Sequence, residues 1–266
     1  MGSDLSPQDH FAQRGWLRFS YDPQLAAWAT AARRAGQAAA QDPKHAHWWQ
    51  CGDTWFVGVD VLENDTAGAI NGVALGEKLL QHLSTLFGDL PDFHPAQVSI
   101  IKPGYPKPRD GETEAAFGYR LRRDAAHVDG PRLNRDTGAR VCDEYHQFIL
   151  GLPLNEASAT ASPMVLWDGS HHIMQRALAT ALAEHPRADW PKADISEPYK
   201  AARREVFDTC TRIELAVRPG EAYVIHRHLL HGVAPWGQGA TADPEGRMIA
   251  YFRPEMVGGL GDWITF

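Results

Sequence analysis

His127 and Asp129 lie two residues apart in Ala126-His127-Val128-Asp129-Gly130, and a third candidate ligand, His231, stands far downstream in Leu229-Leu230-His231-Gly232. On extended backbone, residues i and i+2 point to the same face, so His127 and Asp129 can aim together. A distant histidine would complete one triangular face of an octahedral ion and leave the opposite face open for chemistry. Arg247 follows on the next apolar run, Gly246-Arg247-Met248-Ile249-Ala250-Tyr251-Phe252, where its planar fork suits a carboxylate. The chain has 13 histidines, so the bland alternative is two core or surface histidines and a turn aspartate. His226 and His228 also compete for the distal position; they share a face with one another but sit at odd offsets from His231.

Those residues need elements to hold them. Asp22-Pro23 opens an alanine-rich helix over 23–41, and Leu79, Leu80, Leu83 and Leu86 make the apolar stripe of a second over 75–87, stopped by Gly88. The aromatic cluster Trp48, Trp49, Trp55 and Phe56 between them reads as core rather than as a ligand pocket. After Pro91, short apolar runs punctuated by Gly and Pro predict strands at 98–101, 119–126, 147–150, 164–167, 213–217, 222–225 and 248–252. Evenly spaced strands of this kind suggest a β-sandwich or barrel. A helical insertion, 173–184 followed by 197–210 with Ser196 as N-cap, interrupts them. The turn Arg218-Pro219-Gly220-Glu221 joins two strands, the second of which leads to His231.

A chain of 266 residues can bury a real core in one domain. Hydrophobic content of 44%, charged content of 22% and a net charge of -7 are ordinary for a soluble globular protein and give no reason to expect nucleic acid or a membrane as partner. Cys51, Cys142 and Cys210 are odd in number and widely spaced, which argues against a disulfide framework and for a reducing, cytoplasmic location. No apolar stretch approaches the ~20 residues that span a bilayer. The start, Met1-Gly2-Ser3-Asp4, lacks the basic region and apolar run of a signal peptide, and Gly2 with Ser6 meets only the loose myristoylation pattern. Residues 102–140 carry nine basic and six acidic side chains, an excess that points either to an anionic group on a small-molecule substrate or to a solvated face.

The order of these motifs resembles the phytanoyl-CoA dioxygenase-like members of the Fe(II)/2-oxoglutarate-dependent oxygenases. The similarity runs from residue 98 to residue 254. It is carried by Ala126-His127-Val128-Asp129-Gly130, by Met164-Val165-Leu166-Trp167-Asp168-Gly169-Ser170-His171, which is like the family's strand ending in Pro-Gly-Ser-His, and by Arg218-Pro219-Gly220-Glu221 leading to Leu229-Leu230-His231-Gly232. The resemblance implies a mainly β fold with flanking helices (α+β), a double-stranded β-helix or cupin-like jelly roll. It implies one domain over 1–266, with an amino-terminal helical region over 1–92 packed on the barrel, a jelly-roll core over 93–258 and the insertion 173–210 over one edge or the mouth.

By the same resemblance His127, Asp129 and His231 would bind Fe(II), and Arg247 would anchor the far carboxylate of 2-oxoglutarate, with Arg253, on the same face of the strand, in reserve. Lys102 and Tyr119 would add contacts to the co-substrate, and His171 and His172 would have a structural role at the site rim. With O2, such a site would hydroxylate a small organic substrate while 2-oxoglutarate is decarboxylated to succinate. A carboxylate at Asp129, where related halogenating enzymes carry a small residue, implies hydroxylation or another oxidation over halogenation. Two departures stand out: the connection from His231 to Arg247 is longer than usual, and Val233 occupies a position where Ser or Thr often binds the co-substrate. The alternatives are a cupin-like metal enzyme that does not use 2-oxoglutarate and a non-catalytic jelly-roll binding protein.

Overall fold

A computed structural model describes residues 5–265, so the Met1–Asp4 segment read for targeting signals lies outside the described residues. Among the described residues the strands are β1 (Trp16–Phe19), β2 (Trp49–Gln50), β3 (Trp55–Phe56), β4 (Gln97–Ile101), β5 (Pro131–Leu133), β6 (Arg140–Cys142), β7 (Phe148–Pro153), β8 (Met164–Trp167), β9 (Arg212–Leu215), β10 (Ala222–His226), β11 (His231–Val233) and β12 (Arg247–Phe252). The helices are α1 (Pro7–Arg14), α2 (Pro23–Gln41), α3 (Glu77–Phe87), α4 (Glu114–Arg122), α5 (Ser170–Ala183), α6 (Ser196–Thr209) and α7 (Gly259–Ile264).

The strands form a seven-stranded sheet in the order β1-β10-β7-β12-β4-β3-β2, a three-stranded sheet β11-β8-β9 and a small β5-β6 hairpin, with every pairing antiparallel. Side-chain alternation shows how the two larger sheets face each other. On β12, Ile249 and Tyr251 enter the same buried cluster as Met164 and Leu166 of β8 and Tyr223 and Ile225 of β10, so this cluster lies between the sheets. Met248, Ala250 and Phe252 project the other way and pack with Leu25 and Trp28 of α2 and Leu79 and Leu83 of α3. Val165 and Trp167 of β8 likewise leave the interior and meet Met174 and Leu178 of α5, Tyr199 and Val206 of α6 and Trp263 of α7. From β7 onward the chain passes repeatedly from one sheet to the other, the path of a jelly roll, and the expected double-stranded β-helix with flanking helices is borne out.

Local chemistry explains most boundaries. Asp22 caps α2 by accepting from the Gln24 N–H at 2.7 Å, and Pro23 occupies its first turn. In the β9–β10 connection the Glu221 N–H donates to Arg218 O at 3.0 Å, and Gly220 supplies the left-handed φ of 90°. Three expectations are corrected. Residues 119–126 do not form a strand: Thr113 accepts from the Ala116 N–H at 3.2 Å and starts α4, which runs to Arg122. Ser196 is not the cap of α6, because its hydroxyl accepts from the Arg140 N–H at 2.9 Å and Ile195 takes the cap position. The amino-terminal region is more than helices, since β1 pairs with β10, and β3 with β4, so that it extends both sides of the large sheet. The 173–210 insertion lies on the outer face of the small sheet.

Candidate metal centre

The backbone alone brings the two histidines together. His127 N–H donates to His231 O at 2.8 Å and His231 N–H donates to His127 O at 3.0 Å, a reciprocal antiparallel pair that sets their side chains on one face. Asp129, two residues on, joins them. Behind this pair the chain is braced closely. The Val128 N–H donates to the Tyr199 hydroxyl of α6 at 3.0 Å, and Leu230 N–H donates to the Ser170 hydroxyl at 2.9 Å. Gly232 packs against the Asp124 carbonyl, which a Cβ would overlap. Gly232→Ala is therefore expected to destabilise the protein by about 1–3 kcal/mol through overpacking beside the triad. A thermal melt with a midpoint equal to wild type would contradict that reading of the close approach.

Ring orientation is fixed from behind. His127 Nδ1 lies 3.0 Å from Ala125 O, and His231 Nδ1 lies 2.9 Å from Leu229 O, each a carbonyl two residues back. A carbonyl only accepts, so Nδ1 of each ring carries a proton, and in the neutral ring Nε2 is the lone pair left for a metal. Ala125, with φ 53°, holds the left-handed backbone that aims its carbonyl at the ring. The two Nε2 atoms converge on Asp129 Oδ1, at 3.2 Å from His127 and 3.8 Å from His231. Among the described residues this is the one cluster of three or more His, Cys, Asp or Glu whose ligand atoms lie close enough for one ion.

Electrostatics suits a cation here. Burial and the neighbouring His127 push His231 down to about 4, so it is neutral near pH 7. Burial opposes charge on Asp129, but the His127 hydrogen bond and the Arg253 charge outweigh it and hold the carboxyl well below the ordinary range. At His127, whose side chain is 49% exposed, the desolvation imposed by the surrounding protein works against the charged form, and the Asp129 carboxylate overcomes it and raises the pKa. A divalent ion at Nε2 would compete with protonation there.

The triad opens into a cavity of ≈ 240 Å³ walled by Trp55, Ile149, Met164, Val233, Tyr251 and Arg253 among others. Its polar wall groups are largely engaged: Trp55 Nε1 donates to Ser99 Oγ at 3.1 Å, and Arg253 is bound by Asp129 and Gln97. Arg247 lies deeper on the same inward face of β12, lining a second cavity of ≈ 250 Å³ at the other end of the barrel. It is 5% exposed, and neither Nη1 nor Nη2 has a hydrogen-bond partner. Asn155 clamps its backbone, donating to Gly246 O at 2.6 Å and accepting from Met248 N–H at 2.8 Å. The Tyr223 hydroxyl, which feels the Arg247 charge, donates to the Tyr251 hydroxyl at 3.2 Å, and Tyr251 lines the triad cavity.

Other residues singled out in the sequence lie elsewhere. Tyr119 points its hydroxyl at Ala126 O, 2.8 Å away, and receives Arg203 Nη1 at 2.7 Å, so it braces the backbone ahead of His127 from outside the cavity. Lys102 places its ammonium 3.9 Å over the Trp49 ring and does not line the cavity either. None of the nine basic side chains of residues 102–140 lines it. Sequence reasoning missed Gln97, Ser99, Tyr223 and Tyr251. The parity of β12 held the signal for Tyr251, because residues alternating with Arg247 must face inward too.

His171 and His228, both buried, and the half-buried His226 form a separate group with ring centroids 4.8 Å (His171–His226) and 5.4 Å (His226–His228) apart. Burial, then the neighbouring His172, pushes His171 down to about 4, and burial pushes His226 and His228 well below their ordinary 6.5. The unfolded chain therefore binds more protons between 6.5 and about 4. The stability these residues contribute is whole above 6.5 and is lost as pH falls towards about 4, on the order of 3 kcal/mol for His171 alone. Urea midpoints of the metal-free protein should drop between pH 7 and pH 5; a constant midpoint would refute this.

No protein-family model and no curated protein matches the chain. Solved structures do. The non-heme alpha ketoglutarate dependent carbocyclase SnoK from nogalamycin biosynthesis is similar at 13% identity, over 97% of this chain and 90% of that one, with a TM-score of 0.43. EctD from S. alaskensis, with 2-oxoglutarate and 5-hydroxyectoine, is similar at 13% identity over 96% and 78%, TM-score 0.47. AviO1 from Streptomyces viridochromogenes Tue57 is similar at 13% identity over 92% and 91%, TM-score 0.43. At this distance the reading of the site rests on its own residues.

Proposed function

We propose that this chain is an Fe(II)- and 2-oxoglutarate-dependent oxygenase of the phytanoyl-CoA dioxygenase-like type that hydroxylates a small organic substrate. His127, Asp129 and His231 would hold the iron: two neutral imidazoles and one monoanion, with tautomers already set, are the donor set such an ion takes. The observation that carries the choice of co-substrate is Arg247. A guanidinium buried in the barrel with both terminal nitrogens unpaired calls for an anion, and a carboxylate fits its fork. Iron held with 2-oxoglutarate and oxygen supplies an oxidant strong enough to hydroxylate an unactivated carbon.

The protein's own contribution is positional. Ile149, Met164 and Val233 give the cavity at the triad an apolar wall, and the backbone pair between His127 and His231 fixes the distance between the two imidazoles. Tyr251 lines the triad cavity and accepts from Tyr223, whose hydroxyl feels the Arg247 charge. Apart from Arg253, which is engaged by Asp129 and Gln97, the walls beyond the triad are uncharged and favour an apolar reacting segment on the substrate over an anionic one. No helix among the described residues is long and apolar enough to cross a membrane, and the three unpaired cysteines support a reducing compartment such as the cytosol.

One observation favours the alternative, a metal enzyme of the same barrel that works without 2-oxoglutarate: Arg247 lines the far cavity and not the triad cavity. Succinate release from 2-oxoglutarate, screened across small metabolites with Fe(II) and air, separates the two. Fe(II)-dependent succinate formation is expected, and its absence with every candidate while another metal-dependent conversion proceeds would favour the alternative.

A further inference from the structure

We propose that Arg253 is a positioning residue that restricts Asp129 to one-oxygen ligation of the metal and so keeps a coordination position free; this rests on the oxygenase reading above. The two carboxylate oxygens of Asp129 face different partners. Oδ1 faces both histidine Nε2 atoms, whereas Oδ2 accepts from Arg253 Nη1 at 3.3 Å. The other arm of the fork is also taken, Arg253 Nη2 donating to Gln97 Oε1 at 2.6 Å, and Gln97 Nε2 in turn donates to Val57 O at 2.7 Å. Arg253 lies just past the end of β12, and its own carbonyl has His94 Nε2 at 2.8 Å and His146 Nδ1 at 3.1 Å. Side chain and backbone are thus held from three sides, and the guanidinium is committed to Asp129 instead of standing free for a ligand carboxylate as Arg247 does.

An octahedral ion with three protein ligands has three further positions. A chelating 2-oxo acid takes two and oxygen needs the third. A second Asp129 oxygen on the metal would consume one of them, and the Arg253 hydrogen bond to Oδ2 opposes that rotation. The positive charge so close to the carboxylate also lowers its strength as a donor, so removing it should leave metal binding as tight or tighter while co-substrate binding weakens. A merely structural role predicts the reverse, loss of both together.

The test uses the full chain loaded with Co(II), whose visible bands report coordination, titrated with 2-oxoglutarate. In Arg253→Met, Co(II) affinity should be at least that of wild type while 2-oxoglutarate affinity falls about 10-fold or more, with Arg253→Lys between the two. Unchanged 2-oxoglutarate affinity in Arg253→Met, or parallel loss of Co(II) and 2-oxoglutarate, would overturn the proposal. Should Arg253→Met fail to fold, Gln97→Leu keeps the charge but frees its outer anchor; the same selective weakening supports the proposal and wild-type behaviour overturns it. A wild-type protein whose Co(II) bands ignore 2-oxoglutarate overturns the oxygenase reading, and this proposal with it.

Discussion

Arg247→Met is expected to make the ligand-free protein more stable and to cripple 2-oxoglutarate binding, two effects of opposite sign from one substitution. In the absence of an anion, a guanidinium that is 5% exposed with two unpaired nitrogens is a buried charge without compensation. Replacing it with an apolar side chain of similar length should raise stability by about 1–3 kcal/mol, read as a higher urea midpoint. With the co-substrate present the sign reverses, because removal of one partner from a buried charge pair costs about 2–5 kcal/mol, or roughly 30-fold or more in affinity. A variant that gains stability and keeps full 2-oxoglutarate affinity would assign Arg247 to another anion and favour the metal enzyme that works without the co-substrate.

His231→Ala should abolish metal-dependent chemistry while leaving the fold in place. Its backbone pair with His127 survives the substitution, since both hydrogen bonds are made by main-chain atoms. What disappears is one of two neutral nitrogen donors. Loss of a partner behind a metal ligand typically weakens binding 10–100-fold, so loss of the ligand itself should exceed ~100-fold. Circular dichroism of the variant should match wild type while Fe(II) affinity collapses. Equal Fe(II) affinity would remove His231 from the ligand set.

The fold and much of the site could be read from local sequence, and what could not be read depended on distant partners. The bounds of α2 follow from Asp22, Pro23 and the alanine run, and β8 from four consecutive apolar residues between turns. The helix α4 was hidden by the apolar residues of 119–126, although Thr113 followed by Glu114 already carries a helix-start signal. Two-residue strands such as β2 and β3 have no periodicity to detect; they exist because Trp55 and Phe56 meet Ile101 and Ile100 of β4. At the site, the spacing of His127 and Asp129 determines that they share a face, but the carbonyl that orients the His127 ring depends on the left-handed turn at Asp124 and Ala125, which nothing in the residue types advertises. Whether Arg247 or Arg253 stands free was likewise undecidable from parity, because both face inward; it is the Asp129 and Gln97 contacts that engage Arg253.

The most direct test is an anaerobic titration of the metal-free protein with Fe(II) and then 2-oxoglutarate, followed in the visible range. A weak charge-transfer band is expected to appear only when both are present, to saturate at one equivalent of iron and to be absent in His231→Ala. A wild-type protein that binds Fe(II) but develops no band at saturating 2-oxoglutarate would contradict the proposal that this barrel is a 2-oxoglutarate-dependent oxygenase.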